Sequence, residues 1–265
     1  MKRLAFAYIV FLHFIIAGVI WNSDYADRIG RRLGFHCSSV KPEFTEYYDR
    51  LVRYHVRSVE AVPDDSVIFI GDSITQGLAV CAVHPFSVNY GIGGDTTQGV
   101  LERIPKYLPA LRRAKSVVIA IGINDSRYRT VSSAIANYSK ILDTLPQDRP
   151  VIVSAILSMD LPDSNEVASR LVWVDQFNSQ LRKIAKQRIS VTYIDTNAAL
   201  DSNGDGLLDI SLHDGDGLHL NSAGNLVWAE NLRQALSDQN KLKQMGTREV
   251  AKHELAKDPA DTLTR

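Results

Sequence analysis

Five short apolar runs, rich in β-branched residues, punctuate the middle of the chain: Ser66–Ile70, Ser87–Tyr90, Ser116–Ile121, Val151–Ala155 and Ser190–Ile194. The first and third end at a glycine, the fourth follows Pro150 and the fifth ends at Asp195. Helix-like stretches lie between and after them, at Thr97–Arg112, Ser132–Leu145, Asn165–Arg188 and Ser222–Leu236. Ahead of the first run, Phe44 to Val59 has helical spacing, with Phe44, Tyr47, Leu51 and Tyr54 on one side. Short strands that read as continuously apolar are buried on both faces of a sheet. Their alternation with helices predicts βαβ units, a parallel sheet and an α/β fold. In such sheets ligands bind beyond the carboxyl ends of the strands, so the residues just past these runs carry the candidate chemistry.

The two ends of the chain break the pattern. Lys2 and Arg3 precede Leu4 to Trp21, a stretch with no formal charge apart from His13. As a helix it would span roughly 27 Å, enough for a bilayer core. Residues 1–22 therefore predict a membrane anchor or, alternatively, a cleaved signal segment, with 23–43 as a linker. The stretch is long for a signal peptide, and no clean small-residue cleavage site follows it. Lys2 and Arg3 point the domain out of the cytoplasm, periplasmic or extracellular. Arg28, Arg31 and Arg32 oppose that orientation. The globular domain is expected over 44–240. A charged tail, expected to be disordered, covers 241–265.

Composition narrows the function classes. The chain has 265 residues, 45% hydrophobic and 23% charged, with 30 basic and 30 acidic side chains. A zero formal balance, with no basic run interleaved with aromatics, gives no footprint for nucleic acid. The two cysteines, Cys37 and Cys81, lack metal-ligand spacing and read as free buried thiols. A disulfide is the alternative in an exported domain.

Four polar blocks remain: Gly71-Asp72-Ser73-Ile74, the glycine-rich Gly91–Thr97, Gly122-Ile123-Asn124-Asp125, and Asp216-Gly217-Leu218-His219. Together they hold what ester cleavage needs. A serine hydroxyl is a weak nucleophile without an adjacent base. Histidine suits that role, and a carboxylate fixes its tautomer. The tetrahedral intermediate needs fixed donors. Ser73 is the candidate nucleophile, His219 the base and Asp216 its partner. The donors are the Ser73 N–H, the Gly94 N–H and the Asn124 side-chain amide.

These blocks, GDS at Ser73, GIGGDTTQG at Gly94, GIND at Asn124 and DGLHLNSAG at Asp216 and His219, resemble those of the GDSL or SGNH hydrolases, in that family's order. The resemblance covers roughly residues 64 to 236. It implies a flavodoxin-like three-layer α/β/α sandwich on a five-stranded parallel sheet. It also implies a cofactor-free serine esterase working through an acyl-enzyme on a lipid, thioester or O-acetylated carbohydrate ester. Ser73, Asp216 and His219 would be catalytic, with Ser73, Gly94 and Asn124 forming the oxyanion hole. The first block reads GDSI rather than GDSL, a change at a packing position. Acyl transfer to a cell-surface glycan would use the same residues. A silent carbohydrate-binding module is the third alternative.

Several residues compete for roles. His84 and His213 are other candidate bases, but Ile210 lies where His213 would need an aspartate. His213 is expected to be solvated or to touch substrate. Asp125 is expected to support the Asn124 loop, and Asp72 to orient the serine turn. Asp201, Asn203, Asp205 and Asp209 occupy positions of a calcium-loop pattern, with Gly206 at its turn. Leu212 stands where the bidentate glutamate belongs, so a turn-rich loop is the main reading there.

Overall fold

The first and central strand, β1 (Val67–Gly71), pairs in parallel with β2 (Ser87–Gly91) on one side and β3 (Ser116–Ala120) on the other. The sheet continues through β4 (Val151–Ser154) to β5 (Val191–Ile194), all parallel, in the order β2-β1-β3-β4-β5. This computed structural model describes residues 43–161 and 165–256, with Tyr8 and His13 besides. Each strand lies within a residue or two of the run that predicts it; β1, β3 and β4 are buried almost throughout, whereas the edge strands β2 and β5 are only partly buried.

Alternate strand residues pack to opposite faces. Ile68, Ile70, Val117, Ile119 and Val153 join one core with residues from α3 (Thr97–Arg103), α4 (Leu108–Leu111), α5 (Val131–Thr144) and α6 (Asn165–Lys186). Val67, Phe69, Val118 and Ile152 join the other with α2 (Ser73–Gly77), α7 (Asn197–Leu200) and α8 (Ser222–Ala256). Helices on both faces of a parallel sheet make three layers. The strand order changes direction at β1, the switch point at which open α/β sheets bind ligands.

The helices depart from the sequence reading in three places. The stretch Thr97–Arg112 is not one helix: a 3-10 segment, Ile104–Tyr107, separates α3 from α4. Pro105 and Pro109 stand at the starts of the 3-10 segment and of α4, where a missing N–H costs no helical bond. α1 (Glu46–Ser58) begins at Thr45, whose side chain accepts from Tyr48 N–H. It buries Tyr48 and Val52, while Phe44, Tyr47 and Tyr54 are exposed. α8 runs to Ala256, past residue 240, where the charged tail was expected to begin as disordered. Lys, Gln, Glu, Ala and Leu dominate that stretch, and their helix propensity carries the last turns.

The segment Leu4–Trp21 lies outside the described residues except for Tyr8 and His13. Among the described residues no helix is long and apolar enough to cross a membrane. Cys37 also lies outside them. Cys81 is a free thiol and is exposed, not buried as expected, because it falls in a short 3-10 turn between α2 and β2.

Phe177 of α6 is fully buried, stacked on Trp173 and edge-on to Tyr138. Phe177→Ala is expected to lower the unfolding free energy by about 3–5 kcal/mol in a denaturant titration. A loss below about 1 kcal/mol would contradict this packing.

Candidate active site

Ser73 begins α2 directly after β1, so the sheet delivers its side chain to the carboxyl edge. Asp72 caps that helix: its Oδ1 accepts from Ile74 N–H at 3.0 Å. The Gly93–Gly94 loop follows β2 and Asn124 follows β3, the two neighbours of β1. The topology therefore sets these blocks on either side of Ser73. Gly94 has φ +78° and open space where a side chain would begin, so glycine suits this turn and leaves it uncovered.

Asp216 and His219 come from the loop before α8, and they meet Ser73. Ser73 Oγ lies 2.9 Å from His219 Nε2. On the far side of the ring, His219 Nδ1 lies 2.5 Å from Asp216 Oδ2. Facing a carboxylate, Nδ1 carries the proton and donates it; Nε2 then accepts from the serine hydroxyl. Asp216 Oδ1 also accepts from the backbone N–H groups of His219 and Leu218, at 2.8 and 2.9 Å. Burial acts to raise the Asp216 pKa, but the bonds from the His219 ring and the two N–H groups outweigh it and hold the carboxyl at about 2. It is therefore ionised wherever the imidazole must be steadied.

Asn124 is buried, and one of its amide hydrogens goes to Asp95 O at 2.9 Å. That bond fixes the amide, whose second N–H is the one an oxyanion can take. Asp125 is fully buried; it accepts from Thr97 N–H at 2.8 Å, from Thr97 Oγ1 at 2.5 Å and from Arg129. It ties the Asn124 loop to the start of α3.

The residues holding this edge together were not singled out in the sequence. Arg103 is fully buried. Its Nε donates to Asp95 Oδ2 at 2.8 Å, Nη1 to Tyr90 O at 2.8 Å and Nη2 to Gly71 O at 3.1 Å. Burial pushes Asp95 up to about 6 even against that guanidinium. Glu43, assigned to the linker, accepts from Thr96 Oγ1 and from Arg129. Gln76 accepts from Gly93 N–H at 2.8 Å and donates to Tyr47 Oη at 2.6 Å. Their partners are distant in sequence, and their own patterns look like ordinary surface polarity.

One other expectation changes. His213 is buried, not solvated, and its ring does not reach Ser73 as a base; Gly215 and Gly217 N–H groups occupy its Nδ1. His84 lies near the opposite, amino-terminal edge of the sheet, bonded to Phe86 and Lys115. In the calcium-like loop, Asp201 accepts from the N–H groups of Gly204, Asp205 and Gly206, and Asp209 from Ser202. Asn203 donates to Asp205. The loop holds its own turn with these oxygens, and among the described residues no group of three or more His, Cys, Asp or Glu side chains has metal-holding geometry.

The model of the GDSL-like Lipase/Acylhydrolase family matches residues 69–227. The chain belongs to that family. It is similar to the human platelet-activating factor acetylhydrolase IB subunit alpha2, 29% identical over 188 residues, 66% of this chain and 79% of that protein. It is also 32% identical to the rat alpha1 subunit over 102 residues, 36% of this chain and only 44% of the relative's length. A solved GDSL-like lipase from Bacteroides thetaiotaomicron shares the fold, with a TM-score of 0.62 at 18% identity, covering 73% of this chain and 100% of that one. The family match places this chain among GDSL acylhydrolases and esterases. Its boundaries enclose all four blocks but leave out α1, so Glu43 and Tyr47 act from outside the matched region.

Asp72 offers a clean electrostatic test. Burial is the main cause that raises its carboxyl from 3.8 to about 7, with the charges of Asp95 and Asp125 adding to it and the Ile74 N–H opposing it. Between those values the fold holds a proton that the unfolded chain has released, so stability falls as pH rises through this window. Asp72→Asn keeps the capping oxygen and carries no charge. It is expected to be more stable than wild type at about pH 8, by up to roughly 4 kcal/mol, with the gap closing toward about pH 4. An equal gap at both pH values, by denaturant titration, would contradict the raised pKa.

Proposed function

We propose that the chain is a serine ester hydrolase that works through an acyl-enzyme on small esters, acetyl esters foremost. The observation that carries this reading is the continuous Ser73–His219–Asp216 hydrogen-bonded chain, 2.9 Å and then 2.5 Å. As a substrate carbonyl is attacked by Ser73 Oγ, His219 Nε2 takes the hydroxyl proton. Asp216 stabilises the imidazolium that results. The oxyanion is met by the N–H groups of Ser73 and Gly94 and by the Asn124 amide. His219 then gives its proton to the leaving alcohol. A water molecule, activated by the same imidazole, attacks the acyl-enzyme; the acid leaves and Ser73 Oγ recovers its proton.

The choice of acetyl rests on the two relatives, which are named acetylhydrolases. The exposed aromatic Tyr47 and the Gly93 backbone line the approach to Ser73: a side chain at position 93 would lie 3.6 Å from Tyr47 Cε1 and 3.9 Å from Ser73 Cβ. The apolar stretch Leu4–Trp21 supports a location at a membrane, and Lys2 and Arg3 before it favour the enzyme domain outside the cytoplasm.

A fluorophosphonate probe, followed by peptide mass spectrometry, and a series of nitrophenyl esters from acetyl to octanoyl test this reading together. Ser73 is expected to be the labelled residue, and kcat/KM to fall by more than about tenfold from acetyl to octanoyl, since each methylene that a short pocket rejects costs on the order of 1 kcal/mol. No label on Ser73 would overturn the esterase assignment. A label on Ser73 with a preference for octanoyl would overturn only the acyl assignment.

A further inference from the structure

The loop from Leu212 to Asn221 carries both Asp216 and His219, yet its own turn has few apolar residues to hold it. Its ends are closed by a bridge between His213 and Leu220, and Asp214 N–H donates to His219 O at 2.8 Å. Inside that closure lies a second imidazole. His213 is buried, with 8% of its surface exposed. Its Nδ1 is 3.0 Å from Gly215 N and 3.1 Å from Gly217 N. Both neighbours are N–H donors, so Nδ1 must supply a lone pair and the ring proton must be on Nε2. Among the described residues Nε2 has no hydrogen-bond partner; Asp160 Oδ2 lies 3.9 Å from it. Asp160 also grips the turn through its backbone: its N–H donates to Gly217 O at 2.7 Å. Gly217 has φ +70°, and a Cβ there would lie 1.6 Å from Asp160 O, so the turn is pressed against the strand-end loop.

We propose that His213 is a positioning residue for the acid–base pair: as a neutral imidazole protonated on Nε2, it gathers the N–H groups on either side of Asp216 and thereby aims Asp216 and His219 at Ser73. The inference rests on the proposed esterase reading. It assigns opposite tautomers to two histidines six residues apart, Nε2–H at His213 and Nδ1–H at His219. An uncharged acceptor is required at position 213. A proton on Nδ1 would face two N–H dipoles, and an apolar side chain would leave both N–H groups without a partner. The flanking glycine N–H groups are in the backbone turn that carries Asp216, so losing the acceptor moves the carboxylate rather than merely loosening the surface.

The two tautomers can be read in the full chain from the ring-nitrogen shifts of the histidines in 15N spectra, and the role from two variants. In His213→Asn, the side-chain Oδ1 takes the place of Nδ1 as acceptor. His213→Leu has none. The rate of fluorophosphonate labelling at Ser73 depends on His219 as base and needs no knowledge of the natural substrate. The labelling rate of His213→Leu is expected to fall about 10- to 100-fold, the scale of a reacting group displaced by about 1 Å, and that of His213→Asn to stay within about threefold of wild type. On nitrophenyl acetate the loss is expected in kcat, with KM within about twofold. If His213→Leu fails to fold, His213→Asn decides alone. Labelling at the wild-type rate in His213→Leu, a large loss in His213→Asn, or a wild-type His213 protonated on Nδ1 would each overturn the proposal. The two labelling results presuppose that wild-type Ser73 is labelled, whereas the tautomer does not; absence of that label would instead strike the esterase reading.

Discussion

One buried guanidinium fixes the edge on which the site is built. Arg103 reaches Gly71 O at the end of β1, Tyr90 O in β2 and the Asp95 carboxylate beyond the glycine loop. Two of these contacts are to strand-end backbone, so the turn bearing Ser73 and the loop bearing Gly94 share an anchor. Asp95 extends the tie to β3 through the bond that its carbonyl accepts from Asn124. A buried ion pair is a weak source of net stability, because desolvation offsets most of the attraction. What it supplies here is a fixed separation between three strand ends, and the proposed oxyanion donors depend on that separation.

The acid–base turn approaches Ser73 from a different direction and is held by different bonds. It rests on the β4 end through Asp160 and on its own buried imidazole, His213. The site therefore has a rigid donor half, locked by Arg103, and a turn half, locked by neutral hydrogen bonds. The carboxyls divide in the same way. Asp72, sealed beside Ser73 among Ile74, Ile123, Leu157 and Trp228, is pushed up to about 7 by burial. Asp216, half-exposed and bonded by three donors, is held at about 2. Environments that drive carboxyls apart in this way separate a structural cap from a group that must stay charged beside an imidazole.

Much of this was legible in the sequence, for reasons that can be named. The buried central strands β1, β3 and β4 leave continuous apolar runs, and the edge strands β2 and β5 follow from the alternation with helices, so the blocks after the strands fall at the carboxyl edge by topology alone. Ser73, His219 and Asp216 could be singled out because their chemistry is demanding and their spacing tight. Arg103 could not: within Val100–Tyr107 it reads as a surface charge on an amphipathic helix, and its partners are carbonyls that only the folded chain brings near. Glu43 was hidden for the same reason, placed in a linker although it bonds Thr96 and Arg129. His213 was misread because a histidine in a polar, glycine-rich stretch looks solvated. Only the folded turn shows two N–H groups converging on one ring nitrogen. The break in Thr97–Arg112 is, by contrast, visible in the sequence at Pro105 and Pro109.

The central claim is that Ser73 and His219 act as one unit. A double-mutant cycle in kcat/KM on a nitrophenyl ester, with Ser73→Ala, His219→Ala and the pair, tests it most directly. If the two residues share one proton transfer, each single variant loses on the order of 10³-fold or more and the double variant loses no more than the worse single. Losses that multiply, so that the double variant falls by the product of the two, would contradict the shared step.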